Sequence, residues 1–93
     1  MYFRELLQDP VPRRVQRLQA QWLAETFGSG HFTARTAAVQ AVCRYAAHPE
    51  QKPLRGLPRS IPAWARQLRA LQASGLVSAD AAGYRLLPHA AAR

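Results

Sequence analysis

The sequence predicts a small, helix-rich α+β domain in which three core helices precede a C-terminal β-hairpin. Its 93 residues suffice for one domain with one modest hydrophobic core. Leucine and alanine dominate the apolar residues and Ile61 is the single isoleucine, a composition that favours helices over strands. Apolar residues recur at helical spacing as far as Gly75 and form strand-like runs beyond it.

Two helices are predicted before the first glycine-rich turn. Residues 1–9 form a short N-terminal apolar helix, and the main domain spans residues 10–88. Pro12 suits the first turn of the next helix, which ends at the Gly28-Ser29-Gly30 sequence. Its expected buried face carries Val15, Leu18, Trp22 and Thr26. Its expected outer face carries Arg13, Arg17, Gln21 and Ala24.

A second core helix follows the short extended stretch His31-Phe32. Thr33 or Thr36 can cap its amino end, since a threonine hydroxyl accepts a hydrogen bond from a first-turn N–H group. Pro49 ends it, and residues 48–60 form a loop because they hold three prolines and a glycine. The expected buried stripe of this helix is Ala34, Ala38, Ala41, Val42 and Tyr45.

The third core helix spans about residues 61–73, with Ser60 as its N-cap, Pro62 in its first turn and Gly75 after its end. At 100° per residue its residues divide into an apolar and an outward face. The apolar face carries Ile61, Trp64, Ala65, Leu68 and Leu71. The outward face carries Ala63, Arg66, Gln67 and Ala70, with Arg69 on its flank.

The hairpin is predicted from two strand-like runs, 76–79 and 84–87, separated by residues 80–83. Gly83 supplies the backbone freedom that a tight turn often needs. Pro88 ends the second strand, and residues 89–93 are expected to be a flexible tail.

Charge gives the first indication of function. Thirteen Lys and Arg residues face five Asp and Glu residues, a formal net charge of +8, and Lys52 is the single lysine. So strong a basic excess favours a polyanionic partner, and arginine suits phosphate oxygens and guanine edges. A GC-rich genome would also favour arginine codons, but it explains the scarcity of acidic residues less well.

The sequence lacks the residue patterns that several other classes of function require. The single cysteine, Cys43, excludes an internal disulfide framework and a zinc site built on several cysteines. The histidines His31, His48 and His89 are scattered, no acidic pair suggests acid–base chemistry, and no glycine-rich phosphate loop is present. We therefore expect a non-enzyme without metal or cofactor. No apolar run suggests a membrane span or a signal peptide, so a cytoplasmic, nucleoid-associated location is expected.

Residues 68–88, LRALQASGLVSADAAGYRLLP, resemble the junction of helix and hairpin in winged helix-turn-helix proteins. That resemblance implies a winged-helix fold that binds double-stranded DNA, as a transcriptional regulator for example. The longer loop at 48–60 departs from the tight turn usual in that family. A second, partial resemblance is to the winged helices appended to Dam-replacing and methyl-adenine-dependent restriction endonucleases, and it implies a reader of methylated adenine. The matching residues are Arg66, Gln67, Leu68, Leu71, Gly83, Tyr84 and Leu86.

The sequence predicts a DNA-binding surface centred on the third helix. An arginine can bond guanine O6 and N7, and a glutamine can bond adenine N6 and N7. The candidate base contacts are Ala63, Arg66, Gln67 and Ala70. The candidate backbone contacts are Lys52, Arg55, Arg59, Ser60, Arg69 and Arg85. Each of these residues is also an ordinary solvent-facing residue of a helix or loop.

Two alternatives stay open at this point. Winged helices also serve as protein–protein adaptors, since fold does not fix function. The apolar segment 1–9 could be a homodimer contact or could cover the core of its own chain.

Trp22 and Trp64 are assigned to the core by their spacing.

Overall fold

A computed structural model describes residues 12–50 and 56–91 of the chain. Within those ranges it has four helices and a three-stranded antiparallel sheet, so the helix-rich α+β class is confirmed. The elements are α1 (Arg13–Phe27), β1 (His31–Phe32), α2 (Ala34–Ala47), α3 (Ile61–Ala73), β2 (Val77–Asp80), β3 (Gly83–Leu86) and α4 (Pro88–Ala91). The helix predicted for residues 1–9 lies outside the described residues, as do Lys52 and Arg55.

The predicted hairpin is confirmed, with its strands displaced by one residue from the predicted bounds. Asp80 pairs with Gly83, so the turn holds only Ala81 and Ala82. The strand β3 lies in the middle of the sheet, between β1 and β2. Since the pairing places Phe32 opposite Tyr84, the two-residue strand β1 completes an apolar sheet face against the helices.

The predicted caps are confirmed at both of the later helices. Thr33 caps α2: its hydroxyl accepts from the Thr36 N–H at 3.1 Å, and the Thr36 hydroxyl accepts from the Thr33 N–H at 2.9 Å. Ser60 caps α3, its Oγ accepting from the Ala63 N–H at 3.2 Å. These reciprocal and single caps satisfy donors that a helix start otherwise leaves unpaired.

The core is built around two stacked tryptophans. The rings of Trp22 and Trp64 lie 5.6 Å apart at an interplanar angle of 27°, which joins α1 to α3. Trp64 is fully buried, and its Nε1 donates to the Pro58 carbonyl at 2.6 Å. The assignment of both tryptophans to the core is therefore confirmed. The other buried apolar residues are Ala20, Leu23, Phe32, Ala37, Ala38, Ala41, Leu57, Leu68, Leu71, Val77 and Leu86.

The prediction of which residues form the middle of the buried face of α1 is wrong. Gln16 and Gln19 are buried, while Val15 and Leu18 are half-buried. Compared with the prediction, α1 is rotated about its own axis, at 100° per residue. Val15 and Leu18 therefore lie at the edge of its contact with the rest of the domain and not in the middle. A Cβ built on Gly56 would lie 2.8 Å from Leu18 Cδ2, so that edge packs closely on the segment before α3.

Five further apolar predictions are corrected. Val42 and Ile61 are 47% and 46% exposed. Ala34, Tyr45 and Ala65 are half-buried. On α2 the buried stripe includes Ala37 in place of Val42. The three alanines Ala37, Ala38 and Ala41 are close to fully buried, because small side chains allow α3 and α2 to approach closely.

A helical turn, α4, occupies part of the expected flexible tail. Residues Pro88–Ala91 form it, and Ala90 packs against the core. The turn lies against α1, so burial of Ala90 explains why these residues are ordered as a helix. The structure thus has a helical turn at residues 88–91, where the sequence predicted a tail from residue 89 onward.

Candidate nucleic-acid interface

Arginine is the most frequent charged residue in the described part of the chain. All nine described arginines are exposed. Among the described residues, the only basic side chains within 4.0 Å of a carboxylate are His31, 3.1 Å from Asp80, and His48, 3.9 Å from Glu50. No described arginine is therefore neutralised by a described carboxylate. These guanidinium groups are available to an external polyanion. They are Arg13, Arg14, Arg17, Arg35, Arg44, Arg59, Arg66, Arg69 and Arg85.

The solvent-facing side of α3 is narrow and cationic. Trp64, Leu68 and Leu71 are fully buried on one side of the helix. At 100° per residue, Arg66 lies opposite them, with Arg69 beside it, and both are exposed. The neighbouring exposed positions on this side, Pro62 and Ala73, have short side chains, so the two arginines project from a slim helix face.

The structure divides the four residues predicted to contact bases. Arg66 is exposed, whereas Ala63, Gln67 and Ala70 are half-buried. The Oε1 atom of Gln67 accepts a hydrogen bond from Gln19 Nε2 at 3.2 Å. The apolar face of α3 is turned by about 30° from the predicted one, at 100° per residue, which moves Gln67 toward α1. Arg69, predicted on the flank, consequently lies on the outward face.

The residues before α3 are held by specific contacts. The Arg59 Cζ atom lies 3.9 Å from the centre of the Tyr45 ring, a cation–π contact with α2. The Tyr45 hydroxyl donates to the Leu57 carbonyl at 2.9 Å. Because the Ser60 oxygen already caps the helix, Ser60 could offer a phosphate its hydroxyl hydrogen. Pro62 offers no backbone N–H.

Arg85 lies on the outward face of the sheet, where it pairs with His31 on one side and Ser78 on the other. The turn of the hairpin consists of two alanines and carries no cation. Asp80 lies at the foot of this turn. A hydrogen bond from the Ala82 N–H lowers the pKa of the Asp80 carboxyl below its ordinary value of 3.8, helped by the hydrogen bond with His31. Arg85 therefore shares its face with one carboxylate.

Sequence reasoning missed one group of residues. Gln16 is buried between Arg13 and Arg17 on α1, and the three line a cavity. The i, i+4 spacing of the two arginines was visible in the sequence, but hydropathy alone gives no reason to bury the glutamine between them.

No cluster for a metal ion stands out in residues 12–50 and 56–91: three or more His, Cys, Asp or Glu residues do not come together there. Cys43 is exposed. Across the same residues, no helix combines the length and the apolar character required to cross a bilayer.

Comparison with known protein families finds no match, and neither does comparison with curated proteins or with solved structures.

Proposed function

We propose that this chain is a winged-helix domain that binds double-stranded DNA, with α3 in the major groove. The order of elements supports this proposal: a helix, a short strand, two helices and a hairpin. The sheet order β1-β3-β2 also fits, because the hairpin then lies beside α3 with β1 closing its inner edge. In this arrangement the hairpin is the wing.

The observation that carries the proposal is the outward face of α3. Arg66 and Arg69 are exposed, and neither pairs with a described carboxylate. A helix fits the major groove when its outer side chains are few and slim, and Pro62 and Ala73 meet that condition on this face. The fully buried leucines on the opposite side fix the orientation of the arginines.

Each candidate residue then has a distinct role. Arg66 is the residue for base reading, since a guanidinium can bond guanine O6 and N7 together. Arg69, Arg59 and Arg85 contact phosphates, which position the domain on the duplex but do not read its sequence. Gln67 anchors α3 to α1, because bidentate bonding to adenine would compete with its bond to Gln19.

Binding of fluorescent duplexes, followed by anisotropy, tests these roles. Arg66→Gln should weaken binding to a preferred sequence by about 10- to 100-fold, the range that one good bidentate contact confers. Arg69→Gln should weaken binding to all duplexes alike. Arg44→Gln is the matched control: it removes the same charge from an exposed residue of α2 and should have a smaller effect than either.

Selection of bound duplexes from a random pool, with and without adenine methylation, distinguishes two forms of the function. Enrichment of the same sequence in both pools indicates a sequence-specific regulator. Enrichment that requires methylation indicates a methyl-adenine reader. Either function places the protein with the nucleoid in the cytoplasm, and neither requires a catalytic step.

Exposed valines on α2 favour a second candidate, a protein–protein adaptor. Val39 and Val42 are 51% and 47% exposed, one helical turn apart. Absence of duplex binding at low salt, together with a defined partner whose binding is lost on changing both valines to serine, would favour the adaptor.

A further inference from the structure

A cavity of about 310 Å³ opens between the start of α1 and the turn that follows α3. Its described lining comprises Arg13, Gln16, Arg17, Ser74 and Leu76. We propose that this cavity binds the oxyanion of a small molecule, a carboxylate or a phosphate. The site is separate from the outward face of α3, so the proposal does not depend on DNA binding.

Gln16 gives the first reason. Its side chain is only 7% exposed, it lines the cavity, and it makes no hydrogen bond with any residue in the described ranges. Gln16 is not among the described residues with a fully buried, unpartnered polar atom, so its amide reaches the cavity and is available to a ligand there. An oxyanion in the cavity would accept the hydrogen bond that this amide can donate.

Charge gives the second reason. Arg13 and Arg17 lie one turn apart, and neither pairs with a described carboxylate. They lie at the amino end of α1, where the helix dipole is positive. Pro12 provides no side-chain cap, and the first turn holds no acidic residue. Positive side chains are unfavourable at this positive end of the helix dipole, and a bound anion would offset that repulsion.

The opposite wall gives the third reason. Ser74 is the C-cap of α3, and its backbone N–H is used by the Ala70 carbonyl. Its hydroxyl makes no hydrogen bond to a described residue and remains available as a donor. The turn is fixed by the bond from the Leu76 N–H to the Leu71 carbonyl at 2.9 Å. Leu76 adds an apolar wall.

These contacts define the ligand. Two guanidinium groups, an amide and a hydroxyl all donate, and none of the described carboxylates lines the cavity, so the bound group is an anion. The volume lies at the small end of ligand pockets, which suits a single carboxylate or phosphate on a short carbon skeleton. Because Gln16 is buried, a small molecule reaches it more readily than the rigid backbone of a duplex.

Nuclear magnetic resonance of the full chain, at constant ionic strength in chloride, tests the proposal. Inorganic phosphate and succinate are titrated separately, and the anion that binds more tightly identifies the ligand class. We expect saturable shifts at the backbone amides of Arg13, Gln16, Arg17, Ser74 and Leu76 and at the Gln16 side-chain amide. Absence of saturable shifts with both anions overturns the proposal, as do equal shifts at Arg14 and Arg44.

Variants give an independent readout by calorimetry. Arg13→Gln together with Arg17→Gln should weaken binding of the better anion at least tenfold, and Gln16→Met should weaken it about fivefold. Arg14→Gln is the matched control: it removes a charge from the same helix end but does not line the cavity, and it should change affinity less than twofold.

The single variants Arg13→Gln and Arg17→Gln are compared with Arg14→Gln. An equal loss of affinity in all three would indicate general ion attraction and overturn the site. Unchanged affinity in Gln16→Met would do the same. Displacement of the anion by duplex DNA from wild type, persisting in the double variant Arg66→Gln/Arg69→Gln, would assign the cavity to the DNA backbone and also overturn it.

Discussion

The Nε2 atom of Gln19 lies 3.2 Å from the Oε1 atom of Gln67 and 2.7 Å from the Gly56 carbonyl oxygen. Gln19 is 1% exposed, so one buried amide joins α1, α3 and the segment that leads into α3. The Oε1 atom of Gln19 has no hydrogen-bond partner among the described residues. This arrangement fixes the rotation of α3, and with it the direction in which Arg66 and Arg69 project.

Loss of this amide bond should lower stability without lowering DNA affinity much. We expect Gln67→Met to reduce the free energy of unfolding by about 1 kcal/mol, the usual net value of one hydrogen bond. Gln19→Met should cost more, about 2 kcal/mol, because the Gly56 carbonyl also loses its donor. Urea denaturation of both variants and their double variant measures the coupling. A tenfold loss of duplex affinity in Gln67→Met would instead identify Gln67 as a base-reading residue.

The tryptophan stack should be the most sensitive part of the core. Trp64→Phe removes the donor to the Pro58 carbonyl and leaves a void, so a loss of about 3 kcal/mol in the free energy of unfolding is expected. Trp22→Phe is the control on the other ring and should cost less, since Trp22 is 7% exposed. Equal losses of unfolding free energy in denaturant titrations of the two variants would show that the hydrogen bond of Trp64 adds nothing to stability.

Two glycines with positive φ allow a matched comparison. Gly83 has φ +126°, and a Cβ there would lie 2.7 Å from the Phe32 carbonyl oxygen. Gly75 has φ +77°, with nothing within 4 Å of such a Cβ. Gly75→Ala should therefore cost only the backbone strain, about 1 kcal/mol. Gly83→Ala should cost clearly more, because β1 must also move away from β3. Similar melting temperatures for the two variants would contradict this contact.

Asp80 should make stability depend on pH in the acid range. Its pKa in the folded chain is below the ordinary value of 3.8, so the folded state binds fewer protons than the unfolded state between these two values. The contribution of Asp80 is therefore present above pH 3.8 and is lost as the pH falls through the folded pKa. We expect the difference in unfolding free energy between wild type and Asp80→Asn to shrink over that window.

A histidine variant separates the two causes of this shift. The hydrogen bond from the Ala82 N–H is the larger cause and His31 the smaller. In His31→Gln, the Asp80-dependent change with pH should be reduced but still present. Its complete disappearance would show that His31, and not the turn, holds the carboxylate in its charged form.

Local signals in the sequence predicted most of the elements. The caps at Thr33 and Ser60, the end of α1 at Gly28 and the hairpin at residues 80–83 each depend on a few neighbouring residues. The types of the local residues and the backbone conformations they favour largely determine caps and turns. The strand bounds differed by one residue because Asp80 pairs with Gly83, whereas the local pattern places all of residues 80–83 in the turn.

Features set by tertiary packing could not be predicted in the same way. Hydropathy gives no reason to bury Gln16 or Gln19, yet with Trp22 stacked on Trp64 the helix α1 is turned so that both glutamines are buried. The same packing turns α3 toward α1, which removes Gln67 from the outward face and brings Arg69 onto it. Which side of an amphipathic helix is buried depends on its partner, and a single sequence does not specify how two helices rotate against each other.

The salt dependence of duplex binding tests the central claim most directly. Logarithmic affinity is measured against logarithmic salt concentration for wild type, for Arg66→Gln/Arg69→Gln and for the control Arg44→Gln. Each phosphate contact contributes a slope of about −0.9. We predict a steep slope for wild type, a shallower slope and weaker binding for the double variant, and a wild-type slope for the control. A wild-type slope near zero, or equal losses in the double variant and the control, would contradict the assignment of α3 as the DNA-binding helix.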